Sequence, residues 1–79
     1  MRQANMGNIE QLAKSLDIDL DNEKDRCWFA GYLQGIASEN GYDISDNMTI
    51  GCASFCLTLD VPEHQKAWAR VIINLKENE

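Results

Sequence analysis

The sequence predicts an all-α fold, a compact bundle of about four helices. Apolar residues recur at helical spacing through positions 9–75, and residues that favour helix starts precede these segments. A chain of 79 residues has room for one domain. We therefore expect helices at about 8–17, 22–40, 46–59 and 61–77, within a single helical domain at 8–79 that follows a flexible tail at 1–7.

The first predicted helix, at about 8–17, is short and has one narrow apolar face. Asn8 is its candidate N-cap, and Gln11 stands three residues later in the position of a capping box. A helix of this length needs tertiary packing to persist. Its apolar face combines Ile9, Leu12, Ala13 and Leu16.

The second predicted helix, at about 22–40, is apolar over more than half of its circumference, which indicates a central position in the bundle. Asp21 or Asn22 caps its start, and Asn40-Gly41 supplies a left-handed end. Its apolar residues are Cys27, Trp28, Phe29, Ala30, Tyr32, Leu33, Ile36 and Ala37.

The third predicted helix, at about 46–59, begins at Ser45 or Asp46 and has no further charged residue before Asp60. A helix that is apolar nearly all round is buried in a core or in an interface. Its β-branched and aromatic residues also favour strands, so a β-hairpin at 46–59 is the alternative. No Asn-Gly or Asp-Gly turn occurs in this segment, which favours the helix.

The fourth predicted helix, at about 61–77, has the clearest start signal, because Asp60 stands as a cap before Pro62 and Glu63. Ile73 lies opposite the face that is expected in the core, so it is a candidate anchor for self-association. The expected core face of this helix combines His64, Ala67, Trp68, Val71, Ile72 and Leu75.

The second and third helices are expected at the centre of the core. A domain this short buries only about 60% of its unfolded surface. A homodimer would be a natural way to bury more. The residues expected in the core are Trp28, Phe29, Leu33, Ile36, Phe55, Leu57, Leu59, Trp68, Val71 and Ile72.

The charge of the chain limits the classes of partner that it can bind. A formal net charge of −6 disfavours direct binding to nucleic acid or to an anionic membrane. It suits a partner protein with a basic surface.

No apolar stretch approaches 18 residues, so no membrane-spanning helix is expected. The three cysteines form an odd set, which favours reduced thiols in the cytoplasm over a secreted disulfide scaffold.

Asp17, Asp19 and Asp21 match the first ligands of an EF-hand calcium loop. Trp28 stands at the twelfth position of that loop, where a glutamate must supply two oxygens. The sequence therefore favours a solvated link with a helix cap over a calcium site.

The cysteines and His64 include the ligand types of a zinc site and of a Cys–His catalytic pair. Cys52 and Cys56 are four residues apart in an apolar helix, whereas zinc-binding pairs come from turns or knuckles. No phosphate-binding loop, nucleophile elbow or metalloprotease motif occurs. We therefore expect no metal, no cofactor and no enzymatic activity.

The stretch 50–65 resembles a helix-turn-helix core. Ala53 precedes Leu59-Asp60-Val61 at the position of the turn, and a second helix follows from Pro62. The resemblance implies a DNA-binding transcriptional regulator with helices at about 46–59 and 61–77. Because Asp60 replaces the usual turn glycine and the chain is acidic, DNA binding is the alternative function. The side chains that this motif would present to the major groove are Glu63, Gln65, Lys66 and Arg70.

Size, acidity and the lack of catalytic motifs resemble the general profile of phage-encoded inhibitors of host nucleic-acid-binding proteins, including anti-CRISPR proteins. This is a likeness of profile and assigns no residue roles. It implies a small acidic regulator or inhibitor that binds the Lys and Arg side chains with which a partner normally holds phosphates. The predicted contact edge consists of Asp17, Asp19, Asp21, Glu23 and Asp25.

Overall fold

The computed structural model describes residues 6–79, with side chains from Asn8 onward, and this part of the chain is all-α. Its helices are α1 (Met6–Ser15), α2 (Glu23–Glu39), α3 (Asn47–Thr58) and α4 (Ala67–Glu77), and a 3₁₀ turn at Glu63–Gln65 precedes α4. The predicted four-helix bundle is confirmed, and the hairpin alternative at 46–59 is wrong. The tail predicted at 1–7 lies outside the described residues, except that Met6 and Gly7 belong to α1. None of the described helices is both long and apolar enough to cross a membrane.

Local signals in the sequence correctly predicted both ends of α2 and the start of α3. The side chain of Asn22 caps α2 by accepting a hydrogen bond from the N–H of Asp25. Asp46 caps α3 by accepting from the N–H of Met48 at 2.8 Å. Gly41, with a φ of 66°, ends α2 in the left-handed conformation that glycine adopts without steric cost.

α1 ends two residues earlier than predicted because Asp17 has a left-handed backbone, with a φ of 61°. The N–H of Ile18 donates to the carbonyl of Ala13, and the N–H of Asp17 donates to the carbonyl of Lys14. This pair of hydrogen bonds is a Schellman motif, which closes a helix. The predicted cap, Asn8, lies inside α1 and does not begin it.

The predicted start of the last helix at Asp60 is wrong. Residues 59–62 are not helical, and α4 begins only after the 3₁₀ turn. No side chain caps either the turn or α4. The N–H groups of Gln65 and Lys66 instead donate to the carbonyls of Pro62 and Glu63. The 3₁₀ turn therefore pairs these two N–H groups without a side-chain cap.

α3 is the centre of the bundle, because it packs against α1, α2 and α4. Burial of a charge is costly unless it is paired, which explains why this helix carries none. Phe29 of α2 meets Phe55 of α3 edge to face, with the ring centroids 5.9 Å apart. The buried residues of α3 are Thr49, Gly51, Cys52, Ala53, Phe55 and Cys56.

The predicted core is correct in its centre and wrong at two residues, one aromatic and one β-branched. Trp28 and Val71 were expected inside, but they are 54% and 58% exposed. Trp28 lies on the outer face of α2, where it stacks on Tyr32 with ring centroids 5.2 Å apart. Apolar residues surround more than half of α2, but its packing against α3 and the 3₁₀ turn leaves Trp28 exposed. The confirmed buried residues are Phe29, Leu33, Phe55, Leu59 and Ile72, whereas Ile36, Leu57 and Trp68 are partly buried against them.

α4 has apolar side chains on two faces, and the face predicted for the core is largely the exposed one. Ala69 and Ile72 are buried, whereas Val71 and Leu75 are exposed. Ile73 packs against the core and is partly buried, so the prediction that it lies on the free face is wrong. Because both faces are apolar, periodicity alone could not select between them. Ala69 is fully buried, and a small side chain at such a position permits close packing of a neighbouring helix.

Several positions inside the bundle hold small residues. Side chains of this size allow helix axes to come close together. They also leave little free volume, since protein interiors are packed about as densely as organic crystals. The six positions are Ala13, Ala30, Ala37, Gly51, Ala53 and Ala69, all of them buried.

Candidate partner-binding surface

The predicted acidic contact edge lies in the link between α1 and α2 and in the first turn of α2. One oxygen of Asp25 accepts a hydrogen bond from the N–H of Asp19, and Asp19 accepts one from the N–H of Asp21. These two carboxylates therefore organise the link. Among the described residues, no side-chain hydrogen bond or ion pair engages the carboxylates of Asp17, Asp21 or Glu23.

Local structure alone explains why most of these acids occur at their positions, so a binding partner is not needed to explain them. Glu23 and Asp25 occupy the first turn of α2, where the helix dipole favours negative charge. Asp17 provides the left-handed residue that ends α1. Of the five predicted contact residues, Asp21 alone also lines a described cavity.

That cavity is an open groove of about 520 Å³, and we call it the acidic groove. It lies beside α3, between the link that joins α1 to α2 and the link that joins α3 to α4. Its floor is apolar, because Phe55 and Leu59 are each only 6% exposed and Leu20 is partly buried beside them. Exposed carboxylates at the rim come from different segments of the chain. The residues that line the groove are Glu10, Leu20, Asp21, Arg26, Phe55, Thr58, Leu59 and Asp60.

Arg26 is the one cation that lines the groove, and its guanidinium is engaged by backbone. Its Nε donates to the carbonyl of Asp60 at 3.0 Å, and one terminal nitrogen donates to the carbonyl of Leu20 at 3.2 Å. The ion pairs of the described residues lie elsewhere, at Glu63–Arg70 and Glu79–Lys76. The rim carboxylates of Glu10, Asp21 and Asp60 therefore lack an ion-pair partner within this part of the chain.

The sequence predicted one residue of the acidic rim and missed the others. Glu10 and Asp60 are fifty positions apart, and no local spacing relates them. Phe55 and Leu59 were expected in the core and are indeed buried, but their outer edges also form the floor. Such a groove depends on packing between segments, which single-sequence patterns do not report.

The polar side chains that the helix-turn-helix resemblance would present to DNA are engaged within the chain. Arg70 forms a two-pronged ion pair with Glu63, and this hydrogen bonding lowers the pKa of the Glu63 carboxyl. Gln65 and Lys66 donate to backbone carbonyls of α2 and α3, at 2.8 and 3.4 Å. The link 59–66 is also longer than the three- or four-residue turn of that motif. DNA binding stays a prediction that no contact in this region favours.

Cys52 and Cys56, two of the cysteines that could have formed a reactive or metal-binding site, are buried, and Cys27 is partly buried. Burial raises the pKa of the Cys52 thiol to about 11 and also raises the pKa of Cys56. A thiol that stays protonated at neutral pH is a poor nucleophile and a poor metal ligand. His64, expected at the edge of the core, is exposed. Within the part of the chain that the structure describes, no three His, Cys, Asp or Glu side chains are placed to hold a metal ion.

Comparison of the chain with protein-family models, with curated proteins and with solved structures finds no significant match. Function is therefore inferred from the acidic groove and its chemistry.

Proposed function

We propose that this chain is a small acidic regulator or inhibitor that binds a basic surface on a nucleic-acid-binding partner protein. The acidic groove carries this proposal. Three rim carboxylates, which have no ion-pair partner among the described residues, surround a floor of Phe55 and Leu59. An unpaired carboxylate suits the charged end of a lysine or arginine side chain, and the apolar surface beside it suits the aliphatic stem.

The proposed binding mode follows from that match. The aliphatic stem of a partner's arginine would lie on the apolar floor, while its guanidinium would reach the rim. A guanidinium can donate two parallel hydrogen bonds to one carboxylate, so arginine fits better than lysine. Arg26 does not occupy these carboxylates, because it donates to the carbonyls of Leu20 and Asp60.

Inhibition would be steric and electrostatic. Partner side chains bound in the groove would no longer be available to phosphates, so nucleic acid would be displaced. A phage-type inhibitor of the anti-CRISPR kind is one protein that would work this way, and its site of action would be the cytoplasm. Asp17, Asp19, Glu23 and Asp25 would extend the acidic surface beyond the groove.

The first test uses a short arginine-rich peptide as a probe, with affinity measured by calorimetry at low and at physiological salt. We expect Asp21→Asn combined with Asp60→Asn to weaken binding about tenfold, because both rim charges are lost. The control removes the same number of charges outside the groove, as Glu39→Gln combined with Glu77→Gln. It should weaken binding less than about threefold, since distant exposed charges are screened by salt.

Equal losses in the two double variants would show that only net charge attracts the peptide, which would contradict a groove site. Binding that does not change with salt would contradict the electrostatic mechanism. A second experiment captures partner proteins from the native host with the unaltered chain and with the groove variant. A captured partner should release bound nucleic acid when the unaltered chain is added, and it should not do so with the groove variant.

The helix-turn-helix alternative is tested separately by gel retardation of duplex DNA at low salt. A shift that Arg70→Ala abolishes would support a DNA-binding regulator. The absence of a shift would exclude it.

A further inference from the structure

A second surface of the chain is apolar and lies on α4. Val71 and Leu75 are 58% and 51% exposed, and Tyr42 in the α2–α3 link is 38% exposed. Together with Trp68 and Ile72 they line a cavity of about 330 Å³. We call this surface the α4 face. None of its lining residues belongs to the acidic groove.

The α4 face carries no ionised side chain. With about 100° of rotation per residue, the helix positions within about 60° of Val71 are apolar or neutral. The charged residues Arg70, Lys76 and Glu77 point away from this centre by more than about 90°. The neutral positions are Ala67, Trp68, Val71, Asn74, Leu75 and the C-capping Asn78.

This lack of charge restricts what can cover the face. A partner with a basic surface has nothing to pair with here, so the face suits an uncharged apolar surface. Another copy of this chain has the same face. Two copies with a net charge of −6 each repel one another, and the α4 face lets them meet without bringing like charges into contact.

The shape of the face also suits a two-fold arrangement. Val71 lies near the middle of α4, with Trp68 three residues before it and Leu75 four residues after it. If two α4 helices cross antiparallel near Val71, Trp68 of each copy faces Leu75 of the other. Protruding side chains and a cavity on one face are what an isologous contact requires, since the same patch must serve as both partners.

We propose that two copies of this chain pair through the α4 face, with the helices antiparallel around a two-fold axis near Val71. This places the self-association surface on Trp68, Val71 and Leu75 and not on Ile73, which packs against the core. The face is smaller than a standard interface of about 20–30 residues per side. The dimer is accordingly weak, with half-association at roughly 10–100 µM.

The test is sedimentation equilibrium of the full chain over increasing concentration. The mass should rise from the 8.9 kDa of one copy towards twice that value. Val71→Glu should weaken association at least tenfold, because it places two carboxylates beside the axis. Trp28→Glu is the matched control, since it adds the same charge to a side chain that is similarly exposed on α2. It should leave association unchanged within about twofold.

A charge exchange, in which opposite charges are placed at position 71 of two copies, then tests the two-fold geometry. It also distinguishes loss of the contact from loss of folding. Val71→Glu and Val71→Lys should each be monomeric when alone, with unchanged helical circular dichroism. An equal mixture of the two should associate again, because the introduced charges face each other across the axis.

A mass that stays at 8.9 kDa up to about 1 mM would overturn the proposal. Association that survives Val71→Glu, or that Trp28→Glu weakens equally, would show that the α4 face is not the contact. Failure of the charge exchange would exclude the antiparallel two-fold. None of these outcomes depends on whether the acidic groove binds a basic partner.

Discussion

Arg26 donates a hydrogen bond from its Nε to the backbone carbonyl of Asp60 at 3.0 Å, across 34 positions of the sequence. A second hydrogen bond, at 3.2 Å, reaches the carbonyl of Leu20. One side chain thus connects the link before α2 with the link after α3. Leu20, Asp21 and Asp60 of these links line the acidic groove, so Arg26 holds two of its lining segments together.

Replacement of Arg26 tests this positioning role. We expect Arg26→Ala to lower the free energy of unfolding by about 1–3 kcal/mol, because hydrogen bonds from a charged donor to both links are lost. Arg26→Lys keeps the charge but lacks the planar fork, so it should recover only part of the loss. Urea denaturation measures both. Full stability in Arg26→Lys would mean that the charge alone matters.

The neighbours Trp28 and Phe29 should respond very differently to truncation. Phe29 is fully buried and meets Phe55, so Phe29→Ala should cost about 3–5 kcal/mol of unfolding free energy. Trp28 is 54% exposed, and Trp28→Ala should cost less than about 1 kcal/mol. Thermal and urea denaturation check the pair. Equal costs would place Trp28 in the core and contradict the observed orientation of α2.

Two glycines should respond to alanine with opposite signs. Gly31 lies inside α2, and an added Cβ would meet no atom within 4 Å. Gly31→Ala should therefore stabilise the chain by about 0.5–1 kcal/mol, because alanine favours a helix. Gly41 has a φ of 66°, so Gly41→Ala should destabilise it by about 1 kcal/mol. Circular dichroism melts would show one midpoint rising and the other falling, and a shared sign would refute the assignment.

Stability should fall in alkaline solution through Cys52. Burial raises the pKa of this thiol from the ordinary value of 9.0 to about 11, so the folded chain holds its proton more tightly than the unfolded chain. The resulting stabilisation is complete below pH 9 and is lost as the pH rises towards 11. Urea midpoints across this window should decline less steeply in Cys52→Ala. Cys27→Ala, at a partly exposed site, should keep the original slope.

The sequence predicted several helix ends that a local interaction decides, but the local start signal at Asp60 was wrong. Asn22, Asp46 and Gly41 each act within a few residues of themselves, so their identities were sufficient to predict helix ends. The missing charge in α3 likewise predicted burial without reference to any other helix. The early end of α1 was not predicted, because the left-handed backbone of Asp17 is uncommon for a residue other than glycine.

The orientation of α4 and the composition of the groove could not be predicted in this way. Apolar residues occupy both faces of α4, and the choice of Ala69 over Val71 depends on how closely α3 can approach. The groove combines Glu10, Asp21 and Asp60, which only tertiary packing brings to one rim. The predicted acidic edge was a contiguous run, and it contributed Asp21 alone to that rim.

The small buried residues have a consequence for tracing the ancestry of this chain. Surface acids can drift without loss of the fold, whereas a larger side chain at a tightly packed position forces the helices apart and typically costs 1–3 kcal/mol. Divergent descendants would therefore be recognised by alanine or glycine at six buried positions more readily than by their charge. Those positions are Ala13, Ala30, Ala37, Gly51, Ala53 and Ala69.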